Sequence, residues 1–144
     1  AFRNCTSLLR IAAESEISAY FGLPSSVTEI KAGAFRDCAK LRLANIPDGV
    51  VTLESDVFNG CVSLETVTVG KNVCKINSAA FGDCAKLVSV YLPVSIKEIE
   101  DGAFNGCNGI STIYYAGAEE QWDEIVMESP GGRFDKSIAV FNFD

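Results

Sequence analysis

Six cysteines are the residues whose chemistry is most open, because thiols form disulfides, bind metal ions and act as nucleophiles. The chain contains no histidine, which excludes serine–histidine and cysteine–histidine catalysis and removes the commonest metal ligand. No Cys-x-x-Cys spacing occurs either. The sequence therefore predicts neither a zinc site nor any other cofactor.

Five of the six cysteines hold one position of a repeat, since each follows a phenylalanine by three residues: Cys5, Cys38, Cys61, Cys84 and Cys107. Strands of stacked repeats lie about 4.8 Å apart, which leaves in-register Cβ atoms outside the ~3.5–4.5 Å that a disulfide needs. We therefore predict a buried column of free thiols that belongs to the structural core. Cys74 lies off this column, and we predict that it faces outward.

The 19 acidic residues give the chain a net charge of −7, but no pair of carboxylates stands out as an acid–base couple. Short polar residues recur beside the repeat cysteine, and capping of turns is the favoured interpretation, with calcium in a column of loops as the alternative: Asp37, Asn59, Asp83 and Asn105. The absence of a basic cluster argues against nucleic acid and against anionic membrane surfaces. No apolar run is long enough to span a bilayer.

Phenylalanines at a fixed spacing reveal the elements that position these groups. Phe35, Phe58, Phe81 and Phe104 are each 23 positions apart, which is typical of one structural unit stacked on itself. Each unit alternates apolar residues at period two, as a strand does, and then reaches a corner at Pro24, Pro47, Gly70 or Pro93. We predict that these rings form the core of a solenoid over residues 1–117.

The two ends of the predicted solenoid differ from its middle. A partial copy opens the chain, which suggests N-terminal truncation, and an insertion at about 14–23 is predicted either to protrude as a contact loop or to pack on the edge. Residues 118–127 are predicted to form a helix with Trp122, Ile125 and Val126 on one apolar face, followed by a turn or mobile loop at 130–132. A last strand would complete a cap over 118–144 that covers the end of the stack.

The motif A-F-x-x-C-x-x-L-x-x-(V/I)-x-(I/V/L)-P at this spacing resembles the BspA-like, Treponema-type leucine-rich repeat. The chain departs from it at Ala44, Gly70 and Ile110. The resemblance implies a right-handed leucine-rich repeat solenoid of short parallel strands on a bacterial cell surface or in a secreted protein. It also implies non-catalytic, adhesion-type binding of a protein or glycan on host or neighbouring cells. A structural spacer within a larger surface protein is the alternative.

The outward face of the repeated strands is the predicted ligand-binding surface, made of an amide, hydroxyls and two tyrosines: Asn45, Thr66, Thr68, Ser89, Tyr91, Thr112 and Tyr114. Tyrosine suits recognition because it offers a large amphipathic area at low entropic cost. An ordinary solvated sheet face is the alternative, since threonine and tyrosine also favour strands.

Overall fold

Residues 20–143, which the computed structural model describes, contain two parallel sheets. The principal sheet has six strands, in the order β1 (Tyr20–Gly22), β2 (Leu43–Asn45), β4 (Thr66–Thr68), β6 (Ser89–Leu92), β8 (Thr112–Tyr115) and β10 (Ala139–Phe141). The second sheet has four shorter strands, β3 (Thr52–Leu53), β5 (Lys75–Ile76), β7 (Glu98–Ile99) and β9 (Val126–Met127). Helix α1 (Glu119–Asp123) and a 3₁₀ helix (Lys136–Ile138) complete the fold. Four turns supply one strand to each sheet, as β2 with β3, β4 with β5, β6 with β7 and β8 with β9, whereas β1 and β10 add a strand to the principal sheet alone.

The 23-residue period sets the strand register. Thr66 pairs with Leu43 on one side and with Ser89 on the other, so equivalent residues of successive turns lie side by side. The second residue of β2, β4, β6 and β8 points into the core, where Ala44 is buried and Val67, Val90 and Ile113 are fully buried. Each corner closes with a hydrogen bond across three residues, as from the Val50 amide to the Pro47 carbonyl at 3.1 Å. The residues on either side of these buried positions form the outer face of the principal sheet.

The repeat phenylalanines form a column through the core. Ring centroids of Phe35 and Phe58, Phe58 and Phe81, and Phe81 and Phe104 are 5.3, 5.5 and 5.1 Å apart, with interplanar angles of 8°, 2° and 12°. All four side chains are buried. Burial of each is worth about 1.5–3 kcal/mol, so the column is a main source of the attraction between turns.

The repeat cysteines form a second buried column of free thiols at 38, 61, 84 and 107. Thiols donate to the phenylalanine carbonyl of the preceding turn: Cys61 to Phe35 at 3.2 Å, Cys84 to Phe58 at 3.3 Å and Cys107 to Phe81 at 2.8 Å. The Phe35 carbonyl also accepts the amide of Cys38 within its own turn. The repeat cysteine therefore links successive turns as a donor, which the sequence pattern alone did not indicate.

These thiols should resist alkylation in the folded protein, because the thiolate is the reactive species. A hydrogen bond with Cys38, together with burial, raises the pKa of Cys61, and a hydrogen bond with Cys107, together with burial, raises the pKa of Cys84. We expect iodoacetamide at pH 8 to modify the half-buried Cys74 in the native state and to leave Cys61 and Cys84 unmodified until guanidinium is added. Peptide mass spectrometry measures each site, a Cys74→Ser variant is the control, and native-state labelling of Cys84 would contradict the buried column.

Left-handed backbone conformations recur in two series at the repeat spacing, one of which consists of Gly33 (φ 66°), Asp56 (φ 60°), Ala79 (φ 55°) and Gly102 (φ 67°). Glycine adopts this conformation without strain, whereas the Cβ of an L-residue is held too close to the following carbonyl oxygen, at a cost of about 1–2 kcal/mol. Alanine offers no polar side chain to offset that strain, so Ala79 is the least suited of the four residues.

We expect Ala79→Gly to raise the free energy of unfolding by about 0.5–1 kcal/mol, because the relieved strain exceeds the added chain entropy of glycine. Urea denaturation followed by circular dichroism measures the change. Ala80→Gly is the matched control, since Ala80 is fully buried and its loss should destabilise. A loss of stability in both variants would contradict strain at residue 79.

The predicted helix over 118–127 is wrong beyond Asp123. Val126 and Met127 instead form β9, where the Val126 amide donates to the Lys97 carbonyl at 2.9 Å, and the Val126 side chain is 61% exposed. The free edge of β7 offers hydrogen bonds that a branched residue such as Val126 satisfies more readily in a strand than in a helix. Trp122 and Ile125 are buried, as that prediction required.

The C-terminal segment continues the solenoid by one further turn. β9 extends the second sheet and β10 extends the principal sheet. Phe134 adds a ring to the phenylalanine column, 4.3 Å from the Phe104 centroid at 13°. The turn falls at 131–134, closed by the Phe134 amide donating to the Gly131 carbonyl at 3.3 Å, and the Phe104 amide donates to the Pro130 carbonyl before it at 2.7 Å. Trp122 packs against Phe134 and edge-on to Tyr115.

Most of the predicted insertion at 14–23 lies outside the described residues. Its described end is β1, in which Tyr20 pairs with Leu43 and Gly22 with Asn45, in parallel. These residues are therefore a regular part of the sheet, and a protruding loop is wrong for 20–22. The backbone hydrogen bonds offered by β2 explain the difference, because an edge strand pairs with any extended segment beside it.

Candidate functional site

The outward residues of the principal sheet form two rows across the strands. Register places Asn45, Thr68, Tyr91 and Tyr114 side by side in the row nearer the corners. Thr66, Ser89 and Thr112 lie in the other row, together with Leu43. All of these side chains are half-buried or exposed. The sheet face is therefore open, with its two aromatic residues adjacent.

The tyrosines form a stacked pair that a third ring contacts. The ring centroids of Tyr91 and Tyr114 are 4.5 Å apart at 12°, and Phe143 lies 5.3 Å from the first and 4.9 Å from the second, at 57° and 50°. Phe143 reaches them because Asn142 is left-handed (φ 55°) and the Phe143 amide donates to the Tyr115 carbonyl at 3.2 Å. The end of the described chain thus contributes to the same surface.

A groove of about 580 Å³ lies beside these rings and is called here the tyrosine groove. Its walls come from the strand ends, the corners after them and the C-terminal residue: Thr68, Tyr91, Tyr114, Lys71, Pro93 and Phe143. Carbon atoms dominate its surface, because Val69, Leu92, Val94 and Ala116 also line it. Such a volume with a few placed polar groups is typical of a ligand site.

Three of the seven predicted binding residues line the tyrosine groove, namely Thr68, Tyr91 and Tyr114. The other four lie on the same face without lining it: Asn45, Thr66, Ser89 and Thr112. Sequence reasoning missed Lys71 and Pro93, although both lie in corners next to a predicted strand. Phe143 carried no such signal, since its approach depends on how the last turn folds back.

Lys71 is the charged residue of the tyrosine groove. Its backbone amide binds the Asp48 carboxylate at 2.9 Å, but its ammonium group has no ion pair within residues 20–143. Five other basic side chains of the described range form ion pairs, as where Arg42 binds both carboxylate oxygens of Glu65 at 3.0 Å. The hydrogen bond of that pair raises the pKa of Arg42 and lowers the pKa of Glu65. A positive charge is thus available in the groove of an acidic chain.

Across residues 20–143, no three side chains among Cys, His, Asp and Glu are grouped so as to hold a metal ion. No helix in that range is long and apolar enough to cross a membrane. The tyrosine groove contains aromatic rings that can stack, hydroxyl groups that can form hydrogen bonds and one ammonium group that can pair with an anion.

Stacked turns of 23 residues with two parallel sheets define a leucine-rich repeat solenoid. The chain belongs to the BspA type leucine-rich repeat family, because the model of that region, with six copies, matches residues 1–126.

Two solved structures of bacterial proteins are similar to this chain, and the first of them shares the fold. A leucine rich cell surface protein from Faecalibacterium prausnitzii matches with a TM-score of 0.61 and 29% identity, over 76% of this chain and 35% of that one. A leucine-rich repeat protein from Bacteroides ovatus matches with a TM-score of 0.43 and 30% identity, over 65% and 30% of the two chains. The chain thus spans about a third of the length of these proteins. No curated protein matches it.

Proposed function

We propose that the chain is a non-catalytic interaction module of a bacterial surface or secreted protein, which binds a protein or glycan on host or neighbouring cells. The observation that carries the proposal is the stacked, partly exposed pair of Tyr91 and Tyr114 beside the tyrosine groove. Tyrosine and lysine there are suited to recognition, since they combine apolar area with hydrogen-bond donors. The family, together with a cell-surface neighbour, supports the location.

Binding rather than catalysis fits the residues of this surface. The chain has no histidine, and no carboxylate among residues 20–143 lines the tyrosine groove to act as a general acid or base. Hydrolysis of a glycan would need two carboxyl groups about 5–9.5 Å apart across a cleft. The groove offers hydroxyl groups and one ammonium group in their place.

The double variant Tyr91→Ala, Tyr114→Ala tests the function. Arrays of glycans and immobilised extracellular proteins identify a ligand, and we expect the variant to bind it at least tenfold more weakly while its circular dichroism spectrum stays native. Val51→Ala with Val126→Ala is the matched control, because these two exposed side chains belong to the second-sheet side of the solenoid. Equal binding by both double variants would contradict the proposal.

A structural spacer is the second candidate, favoured by the small share that this chain covers of its neighbours, 35% and 30%. Other parts of a longer protein would then make the contacts. A spacer gives no ligand on either array, and its Tyr91 and Tyr114 can be replaced without any loss of attachment by the whole protein.

A further inference from the structure

The tyrosine stack ends at β6, whereas the tyrosine groove extends one strand further, to β4. Tyr114 on β8 and Tyr91 on β6 repeat at 4.5 Å, close to the ~4.8 Å between neighbouring strands. The next residue of that row is Thr68 on β4, which is small and exposed. The space over Thr68 therefore has the outer face of Tyr91 as its wall, and one more flat ring would continue the stack there.

An aromatic side chain already packs on this surface. Phe143 approaches both tyrosines within 5.3 Å at tilted angles, which is a favourable arrangement for aromatic pairs. The surface is therefore chemically suited to a phenyl, phenol or indole group, and the place over Thr68 offers that group a second, parallel contact.

The positive charge of Lys71 would favour an acidic group next to such a ring in the ligand. Lys71 follows Thr68 by three residues and lines the same groove, to which no acidic side chain of residues 20–143 contributes. Its ammonium group has no ion pair within the described range, although the chain carries a net charge of −7. A ligand carboxylate beside Lys71 would give its ammonium group an ion-pair partner that residues 20–143 do not provide.

We propose that the tyrosine groove binds an extended segment of a partner protein, with an aromatic side chain over Thr68 against Tyr91 and a carboxylate beside Lys71. This inference rests on the proposed function and names the ligand of the same site. A protein segment fits better than a glycan because Val69, Leu92 and Val94 line much of the groove, whereas a glycan site needs many hydrogen-bonding groups. Hot spots of protein interfaces combine aromatic anchors with polar neighbours in this way.

Selection from a phage library of random twelve-residue peptides tests the inference with the 144-residue chain as bait and the Tyr91→Ala, Tyr114→Ala variant for counter-selection. We expect enriched peptides to carry Trp, Tyr or Phe within about three residues of Asp or Glu, a reach of roughly 10 Å in extended chain. A synthetic peptide of the enriched sequence is then titrated by fluorescence anisotropy.

Two variants separate the parts of the site. Lys71→Glu should weaken the synthetic peptide at least tenfold, and a peptide with Lys in place of its acidic residue should recover at least part of that affinity. Thr68→Trp should abolish binding because its indole fills the place over residue 68. Thr52→Trp, on the second sheet, is the matched control and should bind as the wild type does.

The failures are distinguishable. Enriched peptides without an acidic residue, or an unchanged affinity in Lys71→Glu, overturn the inference and leave the proposed function standing. The inference is also overturned, and the proposed function left standing, if the selection enriches no peptide and the arrays identify a glycan that Thr68→Trp no longer binds. Absence of any ligand that depends on Tyr91 and Tyr114, on the arrays and in the selection, overturns both.

Discussion

Phe81→Ala should lower the free energy of unfolding by about 3–5 kcal/mol, the usual range for a buried phenylalanine. Phe81 is fully buried, and its ring stacks between those of Phe58 and Phe104 at 5.5 and 5.1 Å. Its removal leaves a cavity between two turns that cannot collapse, because the hydrogen bonds of both sheets hold the turns at a fixed spacing. A domain is stabilised by only about 5–15 kcal/mol in total, so the effect should be large. Urea denaturation followed by circular dichroism gives the value.

Phe143→Ala is the matched control, since it deletes the same side chain from the surface. Phe143 is 38% exposed and touches only the edge of the tyrosine pair, so the loss should be about 1 kcal/mol or less. Similar losses in the two variants would show that the stacked rings do not hold the turns together. In a solenoid each turn contacts only its neighbours, so Phe81→Ala should also broaden the transition by uncoupling the two halves.

Gly132→Ala should cost about 2–5 kcal/mol, because strain and overlap act together. The residue is left-handed (φ 59°), and an added Cβ would lie 2.4 Å from the Phe104 carbonyl oxygen and 2.8 Å from that of Cys107. These backbone atoms can move away only if the last turn separates from the stack. The contact between Phe134 and Phe104 would then be lost as well. Thermal unfolding and the exposure of Trp122, followed by its fluorescence, measure the change.

Gly102→Ala isolates the part due to strain. Gly102 is also left-handed (φ 67°), but its added Cβ would meet nothing nearer than Asn105 Cβ at 3.8 Å. We therefore expect a loss of about 1–2 kcal/mol from the conformation alone. If Gly132→Ala is no more destabilising than Gly102→Ala, the close packing of the last turn on Phe104 is contradicted.

The ion pairs between turns should contribute much less than these core contacts. Arg42 with Glu65 at 3.0 Å, and Lys75 with Glu98 at 3.4 Å, join equivalent places on successive turns but remain accessible to water. Exposed pairs of this kind are worth about 0–1 kcal/mol and weaken further with salt. Cohesion between turns therefore rests on the buried columns and the sheets.

The solenoid could be predicted from the amino-acid sequence, because a strict 23-residue period specifies both the strand register and the residues that face the core. A phenylalanine every 23 residues can be buried only if successive turns stack, and the alternation around Val67 and Val90 then fixes which side chains face the core. The adjacency of Tyr91 and Tyr114 on the outer face follows from the same register. These features needed no knowledge of contacts beyond the repeat.

The features of the last turn that depart from the 23-residue period became visible only in the folded chain. The spacing of 30 positions between Phe104 and Phe134, in place of 23, hides the last ring of the column from a repeat count. The edge of β7 determines that Val126 enters a strand. The tyrosine groove likewise needs Phe143, whose place depends on the left-handed Asn142 after β10. Periodic positions are set by local pattern, whereas the end of a stack is set by which unpaired edges and apolar surfaces remain to be covered.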